Sequence, residues 1–394
     1  MADYARNRTF FASSIAPMLI VAGWMAFSLI WHEPVPPAWR VPLTLLLLLF
    51  SQSITAMRVL VTKKPDLPLR FLRIGGFTAS SFMALSWLVL MRDTILALLF
   101  GLSFVLPGME HRLFTPLLSA PAELLMLASS FALAGAGMAS ALRVPEVKAV
   151  RVPLRGLPPE LEGLRIVHLS DLHIGSTFDG AWLEQVAARA NALEPDFVLI
   201  TGDLADGSPD RIARHLRPLT RLKARHGVLI SPGNHDYYSG LLPWVETWRS
   251  WGLPVLLNEH RCFEVRGRTV TVAGVTDPCA VLFRSHAPAM MPPDSRLALQ
   301  GAPQGLRILM AHRPGEAEQN AALGVHLQLS GHTHGGQFVF LFPAVSRMNR
   351  GFRSGLYRVG SMMLYVSPGT GMWGYVPMRL GTSAELTLLT LTQG

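Results

Sequence analysis

Long apolar runs separated by short polar gaps occupy the first third of the chain, and shorter apolar runs between charged residues follow them. About 20 apolar residues cross the roughly 30 Å hydrocarbon core of a bilayer. The first part therefore predicts an α-helical transmembrane bundle of about four helices, at residues 11–31, 41–60, 75–106 and 118–142. The pattern changes near residue 143, which predicts a transmembrane anchor over residues 1–142 and a second domain after it.

A charged pair, Arg92 and Asp93, interrupts the third apolar run. Charged side chains are costly when they face lipid without a partner. Residues 94–106 alone are too short to cross a bilayer. We expect one helix with the pair at its interfacial end or against the bundle, and the sequence leaves open a division into two segments.

The first apolar run could instead belong to a signal peptide. It is longer than the usual hydrophobic region of such a peptide and lacks a clear cleavage site of small residues, so a membrane span is the better interpretation.

The basic residues around the predicted spans indicate the orientation in the membrane. Four spans place the N-terminus and the C-terminal domain on the same side. The short segments of that side carry eleven basic residues, against Arg40, Arg112 and Arg92 for the other. Because Lys and Arg are enriched on the cytoplasmic side, we expect a multi-pass protein of the cell (inner) membrane with a cytoplasmic C-terminal domain.

Beyond the anchor, residues 143–163 are basic and rich in proline, which predicts a linker with one short strand at 149–154. Buried strands then alternate with helices from residue 164 onward, a pattern typical of a largely parallel sheet. The predicted strands are 164–169, 197–201 and 228–231, and the predicted helices are 182–193 and 212–224.

Later segments are richer in β-structure. Residues 262–265 and 270–275 flank a short turn and predict a hairpin. Further strands are predicted at 307–311, 325–329, 362–366 and 385–391. The fold class that fits is an α/β domain over residues 164–394, with two stacked mixed β-sheets flanked by helices.

Polar clusters follow five of the predicted buried strands, at the edge where open α/β sheets form ligand sites. A lone histidine or a Gly-Asn-His-Asp turn would be weak evidence alone. Five such clusters in order are a much stronger indication of a common site. They are Asp171-Leu172-His173, Gly202-Asp203-Leu204-Ala205-Asp206, Gly233-Asn234-His235-Asp236, His312, and Gly331-His332-Thr333-His334.

Carboxylates, imidazoles and one amide without a thiolate make a mixed oxygen and nitrogen donor set suited to Mn²⁺, Fe, Zn²⁺ or Mg²⁺. The two cysteines, Cys262 and Cys279, are not in a Cys-x-x-Cys spacing. The net charge of +9 follows from basic residues around the spans. Without a basic stripe interleaved with aromatic residues, we do not expect nucleic-acid binding.

In their order and spacing, these motifs resemble the calcineurin-like metallophosphoesterase family, and the resemblance covers residues 164–394. The segments Leu-Gln-Leu-Ser-Gly-His-Thr-His-Gly-Gly-Gln and Gly-Leu-Tyr-Arg-Val-Gly, with the membrane-anchored N-terminus, are similar to the bacterial subgroup of the YkuE and YaeI phosphoesterases. The metal motifs are the more specific part of the match.

The resemblance implies two divalent metal ions that share a bridging carboxylate from Asp203. It assigns one ion to Asp171, His173, Asp203 and His334, and the other to Asp203, Asn234, His312 and His332. Two cations roughly 3.5 to 4 Å apart can stabilise the attacking and leaving oxygens of an in-line displacement at phosphorus. A metal-bound hydroxide would then attack phosphorus, so that no protein nucleophile is required.

In this assignment His235 is not a ligand of either ion. The family pattern implies that it contacts the phosphate or protonates the leaving oxygen, a catalytic role. Asp206 and Asp236 lie a short step beyond ligand positions and would orient the ligands, although turn or N-cap carboxylates are a nearly equal alternative. His168, inside a strand, is expected in the core.

Two further segments could approach the site. Residues 277–304 contain several prolines and either cover the site or form an inert surface loop, and Trp373 and Tyr375 lie in a glycine-rich segment.

The function expected is that of a membrane-anchored, dinuclear-metal-dependent phosphoester hydrolase, a phosphodiesterase, phosphatase or pyrophosphatase. The expected partners are the lipid bilayer and a phosphate ester substrate, with a lipid-linked ester as one candidate. The alternative is a transporter or a metal-binding regulatory membrane protein with a non-catalytic phosphoesterase-like domain. The sequence does not determine the substrate, the metal or the oligomeric state.

Overall fold

The computed structural model of the chain describes residues 15–31, 35–63, 69–105, 114, 116–175, 177–283, 291–374 and 376–394, with the backbone alone at 58, 61–63 and 69. The start of the predicted span 11–31, residue 106 and Tyr375 lie outside this range. The chain divides into two compact units. The first comprises Met1–Ala139 with Gly374–Met378, and the second comprises Ser140–Trp373 with Arg379–Gly394.

The first unit is helical in its described residues. Its helices are α1 (Ala16–Ala26), extended by a π-helical turn Phe27–Trp31, α2 (Pro37–Ser51), α3 (Ser53–Lys63), α4 (Leu69–Ser103) and α5 (Ala120–Leu142). Three segments are long and apolar enough to cross a membrane, namely Pro37–Met57, Arg70–Ser103 and Ala120–Leu142. The apolar helix Ala16–Trp31 is shorter than a span in the part described, so the expected count of four is not confirmed.

Helix α4 continues through the charged pair, so the pair does not divide the third span. Arg92 is buried, and its side chain contacts Asp93 Oδ1 at 3.0 Å, Glu123 Oε1 at 3.5 Å and the carbonyl oxygen of Ser28 at 3.1 Å. Asp93 in turn accepts a hydrogen bond from Trp24 Nε1 at 3.1 Å. The pair lies against the bundle, where α1 and α5 supply partners for its charges.

The second unit contains two mixed sheets. The five-stranded sheet has the order β1-β11-β2-β3-β4, and the six-stranded sheet has the order β5-β6-β7-β8-β10-β9. Their strands are β1 (Glu146–Leu154), β2 (Arg165–Leu169), β3 (Phe197–Thr201), β4 (Gly227–Ser231), β5 (Glu259–Val265), β6 (Arg268–Gly274), β7 (Leu306–Met310), β8 (Leu327–Ser330), β9 (Gly355–Val359), β10 (Met362–Val366) and β11 (Glu385–Gln393).

Each strand that is followed by a polar cluster pairs in parallel with another strand of this kind. In the first sheet β2 pairs with β3 and β3 with β4, and in the second sheet β7 pairs with β8, all in parallel. Parallel strands bring their carboxyl ends to one edge of a sheet. The loops that follow these strands therefore gather the predicted site residues.

An apolar layer lies between the two sheets. Ile166, Leu199 and Leu229 of the first sheet belong to the same buried cluster as Ile308 and Leu327 of the second. Such strands are buried on both faces, which explains why their sequences are nearly continuous apolar runs. His168 is also fully buried here, as expected.

Helices cover the outer faces of the sheets. They are α6 (Gly180–Asn191), α7 (Pro209–Leu216), α8 (Asn234–Tyr238), α9 (Leu241–Ser250), α10 (Ala280–Phe283), α11 (Ser295–Ala298), α12 (Ala317–Ala322) and α13 (Phe342–Met348). The helix predicted at 212–224 ends early as α7 and continues as a 3-10 turn, Arg217–Arg221, because proline at 218 removes a helical N–H donor.

The segment predicted to be a linker also contributes to the sheet. Strand β1 is longer than the predicted strand 149–154 and pairs in parallel with β11 along nine residues, from Glu146 with Glu385 to Leu154 with Gln393. Its first residues are exposed, and its pairing partner is more than 200 positions away, so the local pattern gave little sign of its length.

Candidate metal centre

One group of predicted ligands converges where β2 and β8 end. Asp171 Oδ1 lies 3.2 Å from His334 Nε2, and His334 Nε2 lies 3.3 Å from His173 Nε2. The ligand atoms of these three buried residues lie within 4.8 Å of one another. Two imidazole nitrogens that face each other beside a carboxylate oxygen form an arrangement in which a shared cation would satisfy every lone pair.

A second group meets the first at Asp203. Asp203, His312 and His332 also have ligand atoms within 4.8 Å of one another. Asp203 Oδ2 lies 3.2 Å from His312 Nε2 and 3.7 Å from His173 Nε2, while Oδ1 accepts a hydrogen bond of 2.7 Å from the backbone N–H of His235. One carboxylate oxygen therefore faces both groups, and the other is held by the backbone.

Asn234 also fits a cation. Its side chain is almost fully buried, and its Oδ1 has no hydrogen-bond donor among the residues that the structure describes. A buried acceptor without a partner costs roughly 1–3 kcal/mol, a cost that a bound cation would remove. Oxygen and nitrogen donors without a thiolate form the group, which matches the donor set that divalent ions such as Mn²⁺ or Zn²⁺ accept.

The backbone is strained at the same residues. Ten non-glycine residues of the described chain have positive φ, and five of them belong to the two groups: Asp171, His173, Asp203, His332 and His334. Non-glycine residues with positive φ are uncommon and cluster at functional sites. The fold holds these side chains in an unfavourable conformation that brings them together.

Gly331 permits the close approach of two of the loops. A Cβ atom at this position would overlap Ser170 Oγ and Asp171 Oδ2. A larger residue would therefore displace Asp171 from His334.

The charges of the site suit metal binding. Burial acts to raise the pKa of Asp171 and Asp203, but the neighbouring histidines outweigh it and lower the pKa of both carboxyl groups. Burial lowers the pKa of His332 to about 3 and that of His334 to about 4. Ionised carboxylates and neutral imidazoles are the protonation states in which these side chains bind metals.

His312 differs from the other histidines. Burial would lower its pKa, but Asp203 and Asp171 outweigh this effect and raise the pKa to about 10. Its Nδ1 is 2.8 Å from the carbonyl oxygen of Thr201, which fixes the ring with Nε2 toward Asp203.

Asp206 orients two histidines at once. Its Oδ1 lies 3.1 Å from His173 Nδ1 and 2.7 Å from His235 Nδ1. A carboxylate on one imidazole nitrogen directs the other nitrogen toward the site. His235 Nδ1 is engaged in this way, and burial, which would lower the pKa of His235, is outweighed by Asp206 and Asp203, so that the pKa rises to about 9. Candidate ligand atoms of His235, His173 and Asp203 lie within 4.8 Å of one another.

Asp236 binds backbone rather than a histidine. Its carboxylate accepts hydrogen bonds from the N–H groups of Asp203, Leu204 and Gly233 at 2.8 to 2.9 Å. Burial and the charge of Asp203 raise its pKa to about 7. Its position fixes the loop that carries Asp203 relative to the loop that carries Asn234.

Sequence reasoning missed several buried polar residues behind the ligands. Ser170 Oγ donates to Asp171 Oδ2 at 2.6 Å, Thr201 Oγ1 donates to Ser170 Oγ at 3.0 Å, and His168 Nε2 is 2.7 Å from Thr201 Oγ1. This chain of hydrogen bonds leads from the core to a predicted ligand. Ser170 could have been noted because it immediately precedes Asp171.

Arg379 was also missed. It is almost fully buried, and its Nη2 donates to the carbonyl oxygens of Pro368 and Gly371 at 2.8 and 2.6 Å. Burial lowers its pKa to about 10. It lies outside every recognised motif, so no sequence pattern indicates its place beside the site.

The segment 277–304 is not a uniform loop. It contains α10 and α11, and residues 284–290 lie outside the described chain. Cys279 Sγ is 3.9 Å from the carbonyl oxygen of Asn234, so the start of the segment lies beside the site. Trp373 is half exposed, and its carbonyl oxygen accepts a hydrogen bond from Gln337 Nε2.

Comparison with known proteins agrees with this geometry. A sequence model of the family described as calcineurin-like phosphoesterase matches residues 164–336, which contain all the predicted ligands. An uncharacterized metallophosphoesterase of Campylobacter jejuni is 30% identical over 312 residues, which cover 79% of this chain and 77% of that protein. The chain belongs to the calcineurin-like phosphoesterase family.

Other metallophosphoesterases share the same region. The uncharacterized metallophosphoesterase YkuE of Bacillus subtilis is 32% identical over 60% of this chain and 81% of its own length. A Danio rerio protein named transmembrane protein with metallophosphoesterase domain is 38% identical over 65% of this chain. The match spans 60% of the length of the Danio rerio relative.

Proposed function

We propose that this metallophosphoesterase is a membrane-anchored hydrolase of phosphoesters that uses two divalent metal ions. The observation that carries the proposal is the position of Asp203, whose Oδ2 lies within 3.7 Å of both His173 and His312. A carboxylate shared by two groups of ligands is what a dinuclear site requires. The N-terminal helices and the transmembrane relatives support the anchor.

We propose the following assignment of ligands to the two ions. One ion would be held by Asp171, His173, Asp203 and His334, and the other by Asp203, Asn234, His312 and His332. Bound divalent ions supply an activated water and neutralise phosphoryl charge. The ligand loops place this chemistry at one sheet edge, and Asp206 and Asp236 keep the ligands oriented.

His235 would protonate the leaving oxygen or stabilise the phosphoryl charge. Asp206 holds its Nδ1, which leaves Nε2 free to reach a substrate, and the raised pKa keeps a proton on the ring near neutral pH. A positioned acid of this kind contributes to phosphoester cleavage when the leaving group is a poor one.

We further propose that the substrate is lipid-linked and that the site faces the cytoplasm. An anchor with at least three helices long enough to cross a membrane is larger than tethering requires. The alternative of a transporter would need charged side chains in or beside the spans, and Arg92, Asp93 and Glu123 are the candidates for that role. Those side chains bind one another, which favours a structural role for them.

The test is a hydrolysis screen with the purified full-length protein in detergent. Phosphomonoesters, phosphodiesters and lipid-linked pyrophosphates would be offered with Mn²⁺, Zn²⁺, Mg²⁺ or Fe²⁺. We expect metal-dependent cleavage that Asp203→Ala abolishes. Equal turnover by the Asp203→Ala protein would refute the dinuclear proposal, and faster cleavage of soluble esters than of any lipid in mixed micelles would refute the lipid-linked substrate.

A further inference from the structure

An arginine follows ligand candidate His312 directly and forms a two-point contact with a buried carboxylate. Arg313 Nε lies 2.8 Å from Asp277 Oδ2, and Arg313 Nη2 lies 3.0 Å from Asp277 Oδ1. Asp277 is fully buried, whereas the Arg313 side chain is 33% exposed. The carboxylate therefore fixes one edge of the guanidinium from the interior of the protein.

The other edge of the guanidinium remains available. Nη1 has no hydrogen-bond partner within the part of the chain that the structure describes, and Nη2 has further donor capacity beyond its contact with Asp277. Side-on binding of the Nε and Nη2 edge leaves the Nη1 and Nη2 edge, which also matches the spacing of two oxygens of a phosphoryl group.

This free edge belongs to a residue at the rim of the metal centre. Asp277 and Cys279 lie in the loop that contacts Asn234. Arg313 directly follows His312, whose Nε2 lies 3.2 Å from Asp203 Oδ2.

Two other arginines near the ligand loops are already engaged. Arg379 is buried and donates to backbone carbonyl oxygens. Arg353 donates to the carbonyl oxygen of Gly335 and lies over the ring of Phe342. Neither combines a two-point contact to a buried carboxylate with a partly exposed edge, as Arg313 does.

We infer that Arg313 binds two non-bridging oxygens of the phosphoester through Nη1 and Nη2, while Asp277 holds the guanidinium in place. The ligand class is an oxyanion of phosphorus, either in the substrate or as inorganic phosphate. The inference rests on the proposed hydrolase function, because it places the phosphoester beside His312 and His332. A fixed cation at this rim offsets the negative charge of Asp171 and Asp203 as the anion approaches.

The experiment measures the binding of inorganic phosphate to the Mn²⁺-loaded full-length protein in detergent by calorimetry. Arg313→Gln should weaken binding by about 10- to 100-fold, the usual effect of losing a charged hydrogen bond, with unchanged Mn²⁺ content. Arg313→Lys should give an intermediate loss because it keeps the charge without the fork. In hydrolysis, KM should rise more than kcat falls.

Arg268→Gln is the matched control, since Arg268 also pairs with a carboxylate, Glu160 at 2.8 Å, but on the β5–β6 hairpin. It should bind phosphate like the wild type. Thermal unfolding measures whether each variant is folded. If Arg313→Gln does not fold, Arg313→Lys, which keeps the charge opposite Asp277, is used for the phosphate measurement instead.

Wild-type phosphate affinity in the Arg313→Gln protein, or in Arg313→Lys if only that variant folds, would overturn the inference. Loss of Mn²⁺ from a folded variant would overturn it as well, because Arg313 would then act on the metal ligands. Neither result would contradict the proposed hydrolase function, because the wild-type protein would still cleave phosphoesters. A Mn²⁺-loaded wild type that neither binds phosphate nor cleaves any ester would instead overturn the proposed function together with the inference.

Discussion

At the scale of single residues, His312 and His332 belong to the same group of candidate ligands but have opposite pKa shifts. Asp203 and Asp171 raise the pKa of His312 to about 10 against the effect of burial, whereas burial and nearby cations lower the pKa of His332 to about 3. At neutral pH the metal-free protein therefore keeps a proton on His312. If His312 is a ligand, metal binding displaces this proton, because only neutral imidazole binds a metal.

Metal affinity should consequently rise with pH. Below the pKa of about 10, His312 is protonated in the metal-free site, so each unit of pH increase should strengthen binding by about tenfold per proton released. Calorimetric Mn²⁺ titrations in buffers of different ionisation enthalpy would count the protons. An affinity that stays constant between about pH 6 and pH 9 would be inconsistent with a protonated His312.

His235→Ala should separate catalysis from metal binding. Its Nδ1 is occupied by Asp206, and the candidate ligand sets are complete without it. We expect unchanged metal content and a fall in kcat of roughly 10²- to 10⁴-fold, with a much smaller change in KM. Steady-state kinetics and elemental analysis of the same preparation provide both values.

Comparing the rates of the His235→Ala protein on substrates with good and poor leaving groups distinguishes the two possible roles of His235. A nitrophenolate leaving group needs no proton and should partly restore the rate of the variant, whereas a lost phosphate contact would affect good and poor leaving groups alike. A variant with wild-type kcat would reduce His235 to a turn residue, and a variant that loses metal would make it a ligand.

The sequence predicted which residues meet at the site but not how they are supported. Asp171, His173 and Asp203 stand in recognisable motifs directly after buried strands, so their proximity followed from the parallel order of the strands. Ser170 bonds to Thr201, 31 positions along the chain, and Arg379 donates to the carbonyl oxygen of His334, 45 positions away. Such contacts depend on tertiary packing, which a local pattern does not contain.

At the scale of elements, prediction succeeded where a strand is buried along its whole length. The bounds of β3 and β10 agree with the prediction, because nearly continuous apolar runs mark strands that are covered on both faces. Strand β9 was missed because its residues are only partly buried and it pairs as an edge strand with β10. The full length of β1 was also missed, because its first residues are exposed and are strand only through their pairing with β11.

We expect Arg92, in helix α4, to stabilise the helical unit through its contacts with Asp93 and Glu123. Arg92→Met would leave Asp93 and Glu123 without their cation among apolar helices, and loss of one partner of a buried ion pair costs about 3–5 kcal/mol. We expect a clearly lower unfolding temperature in detergent. Arg73→Met, at an exposed position of the same helix, is the control and should have little effect. Equal unfolding temperatures for both variants would show that the Arg92 contacts do not stabilise the unit.

At the scale of the whole molecule, the distribution of basic residues predicts both termini in the cytoplasm. Reporter fusions at the N-terminus and after residue 394 test this orientation. Both should report a cytoplasmic location. A periplasmic signal from the C-terminal fusion would contradict the proposed orientation, and opposite locations of the two termini would require an odd number of spans.

We propose that hydrolysis requires two divalent ions, held by the two groups of candidate ligands that meet at Asp203. The most direct measurement is a titration of metal-free, full-length protein with Mn²⁺ while hydrolysis of a phosphoester is followed, with the protein well above the dissociation constant. A two-metal mechanism predicts no hydrolysis in excess chelator and a rise that levels off at about two ions per chain. Hydrolysis that persists in chelator, or that reaches its maximum at one ion per chain, would contradict it.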